Sequence, residues 1–227
     1  MTLRAVLFDV DFTLARPGPE LGPEGYRRRG EHYGLRLDPE RYEAAREAAL
    51  VDLKRHPELE HDEEIWIAFT ERIVRGMGGA GERAHECAVA IEKAWEEHAN
   101  FDLYEDALPV LDEVRRAGLR IGLVSNGARD LADFVVHHGL DVDAAVGSRA
   151  HGKTKPHETI FRAALDALGV EPAEAAMVGD SIEDDVEGAR ALGMQALLVD
   201  REGRYPDVPD ALRDLYGVPA ALGLPRA

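Results

Sequence analysis

Cysteine is almost missing from this chain. Cys87 stands alone among 227 residues, so no internal disulfide forms. Nothing near it in sequence is electropositive, which points to an inert helix residue rather than a reactive thiol. Positive charge is also short: 27 Lys and Arg face 44 Asp and Glu, a formal net charge of −17. Such a surface repels nucleic acid and anionic membrane, and neither is expected as a partner. An anionic substrate would need its positive charge gathered locally, from a metal ion and a few basic side chains. No apolar run reaches the length of a membrane span. Asp9 comes too early for the apolar region of a signal peptide, so a cytoplasmic protein is expected. What is present, 45% hydrophobic and 31% charged residues, suits a globular chain with one large domain or one domain plus an insertion.

Five apolar runs read as strands: Leu3 to Phe8, Leu119 to Val124, a weaker Ala144 to Val146, Ala175 to Val178, and Gln195 to Val199. Helical segments alternate with them, which predicts an α/β fold with a doubly wound parallel sheet and right-handed crossovers. Leu108, Leu111 and Val114 share one helix face, with Pro109 in the first turn and Gly118 as the stop. Ile160, Phe161, Ala164, Leu165 and Leu168 recur at helical spacing before Gly169. From about Ala15 to Phe101 the pattern is helical only, with Ile65, Phe69 and Ile73 on one face and a second stretch from Ala84 to His98. This predicts a Rossmann-like core of residues 1–15 and 102–227, with residues 16–101 as a helical insertion. Pro206 to Ala227 reads as a short helix and a loose tail.

The chemistry sits where apolar runs stop. Arg4 to Phe8 leads into Asp9-Val10-Asp11-Phe12-Thr13, two carboxylates at the edge where open α/β sheets bind ligands. Asp141-Val142-Asp143 repeats the spacing without a preceding strand or a following threonine, and reads as a solvated loop. The second strand ends in Ser125-Asn126-Gly127, a turn that suits either an anion or simple helix capping. Lys155-Pro156 precedes the Ile160 helix, and lysine occurs only four times in the chain, although Lys153 competes for any role. The strand Ala175 to Val178 ends in Gly179-Asp180-Ser181, with Asp184-Asp185 after it, a carboxylate cluster suited to Mg²⁺ or to a helix N-terminus. Each signal is modest alone. Their order along one sheet edge is what gives them weight.

These motifs, taken together and in this order, resemble those of the haloacid dehalogenase-like superfamily of hydrolases. The insertion after the first motif is similar to that superfamily's helical cap. The resemblance implies a phosphatase that hydrolyses a small phosphomonoester. Asp9 would be the nucleophile, forming an aspartyl-phosphate, and Asp11 the general acid and base. Mg²⁺ would be held by Asp9, Asp180 and the main-chain carbonyl of Asp11. Ser125, Asn126 or the Gly127 amide, and Lys155 would hold the phosphoryl oxygens, with Thr13 and Asp185 in support and Asp184 as an alternative to Asp185. The family most often has glycine where this chain has Phe12, which bears on the fit of the substrate.

Rival chemistries within the superfamily differ in residues that can be read. A dehalogenase lacks an acid at the position of Asp11. A phosphonate hydrolase needs a cap lysine, for which only Lys54 or Lys93 is on offer. A phosphomutase remains open, and a phospho-accepting signalling module would need neither the insertion nor Asp11. Arg27-Arg28-Arg29 reads as a solvated helix face, or as a contact for a second anionic group. His137-His138 complements a helix end, and Trp66 and Trp95 read as core of the insertion. The identity of the substrate and the oligomeric state stay open.

Overall fold

The computed structural model describes residues 2–225. Among them the strands are β1 (Ala5–Phe8), β2 (Ala15–Pro17), β3 (Phe101–Leu103), β4 (Arg120–Ser125), β5 (Ala144–Gly147), β6 (Ala175–Gly179) and β7 (Gln195–Leu198). Five form one sheet in the order β5-β4-β1-β6-β7, every pairing parallel. Parallel strands need crossovers, and covered faces explain why β1 is a continuous apolar run with all four residues fully buried. Side chains alternate across the sheet. Ala5 and Leu7 accordingly pack with Ile160, Phe161, Ala164 and Leu168 on one face, while Val6 and Phe8 are buried on the other.

The helices are α1 (Pro23–His32), α2 (Tyr42–Val51), α3 (Glu63–Gly76), α4 (Arg83–Glu96), α5 (Ala107–Arg116), α6 (Leu131–His138), α7 (Ser148–His151) and α8 (Glu158–Leu168). A π-helical turn at Ile182–Glu187 runs into a short helix, Gly188–Ala191. The chain divides into two compact units: one holds the chain up to Arg16 and from Leu103 onward, the other is Pro17–Asp102. The second unit is helical. Its core joins Tyr26, Leu37, Tyr42, Ile73, Val74, Met77, Cys87 and Ile91, and burial pushes the Cys87 thiol up to about 11, out of the reactive range. Trp95 packs against this core and meets Phe101 edge-on.

Several local readings change. In α5 the buried face is Ala107, Val110, Leu111 and Val114, while Leu108, about 100° round the helix from Ala107, is exposed. Asp143 does lie in an exposed loop, and its carboxylate also accepts from the Ile121 amide at 2.7 Å and pairs with Arg115, tying β4 to α5. The chain end holds the expected short helix, at Val218–Ala221, but is not loose as far as Val218, since Leu215 and Val218 are fully buried and the Leu215 amide donates to Asp106. Arg27 and Arg28 pair with Glu24, Glu31 and Glu20 around α1, as a solvated face does. No helix among the described residues is long and apolar enough to cross a membrane.

Candidate active site

Because every pairing in the main sheet is parallel, all its carboxyl ends lie on one edge. The order reverses on either side of β1, so that strand's end is a switch point where a crevice opens. Asp9 lies there, immediately after Phe8, with its amide donating to the Val178 carbonyl at 2.9 Å. The chain then folds tightly: the amides of Thr13, Leu14 and Ala15 all donate to the Val10 carbonyl. This turn requires a positive φ of 61° at Phe12. That is the left-handed region glycine enters freely and other residues enter at a cost of about 1 kcal/mol. A glycine preference at this position therefore has a backbone cause, and this chain keeps the turn with a phenylalanine.

Lys155 joins the first and last motifs. Its ammonium is buried and donates at 2.6 Å both to Asp9 Oδ1 and to Asp185 Oδ1. Asp185, not Asp184, is the carboxylate on the lysine, and its Oδ2 accepts from the Ser181 amide at 3.0 Å. Between Asp184 and Asp185, the π-helical register of Ile182–Glu187 turns the second one inward. Asp9, Asp180 and Asp185 can bring one oxygen each within 4.8 Å of one another. Asp180 also pairs with Arg204.

Ser125 ends β4 and is buried. It caps nothing: Asp130 caps α6, accepting from the Ala132 and Asp133 amides. The Asn126 side chain turns to the Lys155 backbone instead, accepting from its amide at 2.7 Å and donating to its carbonyl at 3.1 Å. The Gly127 amide donates to Ser148 Oγ at 3.1 Å. Of the expected phosphoryl-binding set, Lys155 lies on Asp9, and Ser125 Oγ lies 4.0 Å from the point where a Cβ would stand on Gly127, whereas Asn126 fixes the lysine segment. Thr13 Oγ1 is buried without a hydrogen-bond partner, and the Thr13 carbonyl accepts from Arg201 at 2.8 Å.

Sequence reading missed four groups here. Arg129 donates to both oxygens of Asp11. Arg204 reaches Asp180, Ser148 supports Gly127, and Arg201 braces Thr13 while gripping Asp106 with two nitrogens and lying over the Tyr104 ring at 3.7 Å. Only the position of Arg129, four residues beyond Ser125 in the loop leaving β4, carried any signal.

The electrostatics follow from crowding acids in a dry place. Burial pushes the Asp9 carboxyl well above its ordinary range; Lys155 opposes this, and Asp185, Asp180 and Asp11 add to it. Asp180 is pushed up to about 6 by burial and by Asp185, against the pull of Arg204. Burial disfavours the Lys155 charge, but Asp185 and Asp9 outweigh it and hold the ammonium above its usual range. The carboxylates exceed what one buried lysine neutralises. Three hard oxygen donors in such a cluster fit a small divalent cation, Mg²⁺ above softer metals.

The chain is similar to several known proteins. A phosphoserine phosphatase from Thermus thermophilus is 43% identical over 154 residues, covering 65% of this chain and 60% of that protein's length. A glyceraldehyde 3-phosphate phosphatase from Methanopyrus kandleri is 30% identical over 214 residues, covering 91% of this chain and 87% of that one. The crystal structure of a HAD phosphatase from Thermococcus onnurineus shares the fold at a TM-score of 0.68 and 24% identity, covering 99% of this chain and 100% of that one. A family model described as haloacid dehalogenase-like hydrolase matches residues 3–193. That stretch takes in β1, β4, the lysine segment and β6, and with them every carboxylate around Lys155: the chain belongs to the haloacid dehalogenase-like hydrolase family.

Proposed function

We propose that the protein is a Mg²⁺-dependent phosphatase that hydrolyses a small phosphomonoester through an aspartyl-phosphate on Asp9. The observation that carries this reading is the buried Asp9 carboxylate at the carboxyl end of β1, held by Lys155, with a second acid, Asp11, two residues on. Relatives named as phosphatases of phosphoserine and of glyceraldehyde 3-phosphate support phosphoryl chemistry over halide displacement.

Asp9, Asp180 and the main-chain carbonyl of Asp11 would hold Mg²⁺, with Asp185 in support. Bound there, the ion supplies positive charge against the phosphoryl oxygens and the nucleophile. Lys155 lowers the repulsion between a dianion and the Asp9 carboxylate, and Ser125 Oγ is a donor for a phosphoryl oxygen. In the first half-reaction an Asp9 oxygen bonds to phosphorus, the bond from phosphorus to the leaving oxygen breaks, and the Asp11 carboxyl gives that oxygen its proton. In the second, a water oxygen bonds to phosphorus as Asp11 takes its proton, and the bond to Asp9 breaks to restore the carboxylate.

Turnover of p-nitrophenyl phosphate with Mg²⁺, measured beside the Asp9→Asn variant, tests this. Activity lost on chelation and in the variant supports the reading. Activity that survives Asp9→Asn would overturn it.

A further inference from the structure

Arg129 has no place in the scheme above, yet it is built in as firmly as any residue of the site. It lies in the loop between β4 and α6, and its side chain is 3% exposed. One guanidinium nitrogen, Nη2, donates to both oxygens of Asp11. The head of the side chain lies 5.2 Å from the centre of the Phe134 ring, which is fully buried on α6. The next residue, Asp130, caps α6 and so anchors the loop to the helix. Burying a guanidinium is costly unless it is paired; here Nη2 is paired with Asp11 and the Phe134 ring lies beside the head, while no hydrogen bond satisfies Nε or Nη1.

The geometry converges on one small space. The point where a Cβ would stand on Gly127 is 3.7 Å from Asp11 Oδ2, 3.8 Å from Arg129 Nη2 and 4.0 Å from Ser125 Oγ. Glycine leaves that point empty, so the acid, the guanidinium and the hydroxyl all border it. A carboxyl that must deliver a proton to one particular oxygen gains from being held in direction.

We propose that Arg129 is a positioning residue for Asp11, aiming its carboxyl at the leaving oxygen; this rests on the assignment of Asp11 above. Its effect on kcat/KM therefore falls on one event, the transfer of the Asp11 proton as the bond between phosphorus and the leaving oxygen breaks. An alkoxide needs that proton. A p-nitrophenolate departs nearly as well without it.

The test compares kcat/KM, which reports steps up to departure of the leaving group, for an alkyl phosphate and for p-nitrophenyl phosphate. The proteins are wild type, Asp11→Asn, Arg129→Ala and the double variant. Arg129→Ala is expected to lose about 10²-fold on the alkyl phosphate and far less on the aryl ester, and the double variant to be no slower than Asp11→Asn. Equal losses on both substrates, or losses that multiply in the double variant, would overturn the proposal and make Arg129 a structural or phosphate-binding group. Arg129→Lys keeps the buried charge, and the same substrate-selective loss is read from it should Arg129→Ala not fold. If Asp11→Asn itself shows no dependence on the leaving group, it is the assignment of Asp11 that fails, and the proposal with it.

Discussion

Lys155 Nζ stands 2.6 Å from Asp9 Oδ1, and both side chains are almost wholly shut off from water. The lysine therefore has two tasks: it pairs buried acids, and its charge favours the ionised form of the proposed nucleophile against the opposite pull of burial. Lys155→Met separates them only in part, because it leaves Asp9 and Asp185 facing each other without a cation. The expected result is a loss of about 10³-fold in kcat/KM together with a fall in unfolding free energy of about 3 kcal/mol. Steady-state kinetics and urea denaturation on the same preparation read both.

Metal binding should be sensitive to acid. Asp180 is raised to about 6, so its carboxylate, the form that binds a cation, is depleted as the pH falls through that value. Mg²⁺ affinity measured by titration calorimetry is expected to hold steady above pH 7 and to weaken about tenfold for each unit below pH 6. A flat profile down to pH 5 would show that Asp180 is not the ligand.

The helical unit has a pH dependence of its own. Glu92 accepts from the Thr70 hydroxyl on the neighbouring helix. Burial pushes its carboxyl up to about 7; the Thr70 bond opposes this and Glu96 adds to it. A raised carboxyl stabilises the fold in its protonated form. That contribution is complete below its ordinary value of about 4.5 and is lost as the pH rises through about 7. Glu92→Gln should therefore gain on the wild type by about 3 kcal/mol between pH 4.5 and pH 8. Denaturation curves at both ends of that range check the sign as well as the size.

Gly179 is required by its neighbour rather than by its own backbone. A Cβ at this position would stand 2.2 Å from Asp185 Cγ, because that carboxyl crosses directly over the end of β6 to meet Lys155. Gly179→Ala is expected to cost about 2 kcal/mol of stability and to abolish activity as fully as Asp185→Ala. Adding it to Asp185→Gly should do no further harm, whereas Asp185→Ala relieves it only in part, because the Cβ of residue 185, 2.6 Å from the new one, remains. Thermal unfolding of the single and double variants decides the point.

Much of this molecule was legible because its sheet is buried on both faces. Strands covered on two sides must be apolar throughout, so β1, β4, β6 and β7 announce themselves, and the polar residues that end them mark the functional edge. Lys155 was legible through rarity. Arg201 and Arg204 were not, and Arg129 only through its place four residues beyond Ser125, since arginine is common in this chain and each finds its acid far away in sequence, Arg129 at 118 positions from Asp11. Leu108 misled because one helix position turns a side chain by 100°. The choice between Asp184 and Asp185 rested on a π-helical turn that no apolar spacing encodes.

The helical unit leaves and rejoins the rest of the chain through β2 and β3, which pair with each other, and just inside them the Gly18 amide donates to the Asn100 carbonyl at 2.7 Å. To the sheet, everything between those strands is equivalent to one short, already closed loop. Its length and content carry almost no further entropic penalty for the strands on either side. The insertion can therefore be lengthened, shortened or exchanged whole while the register of β1 and the place of Asp9 stay as they are.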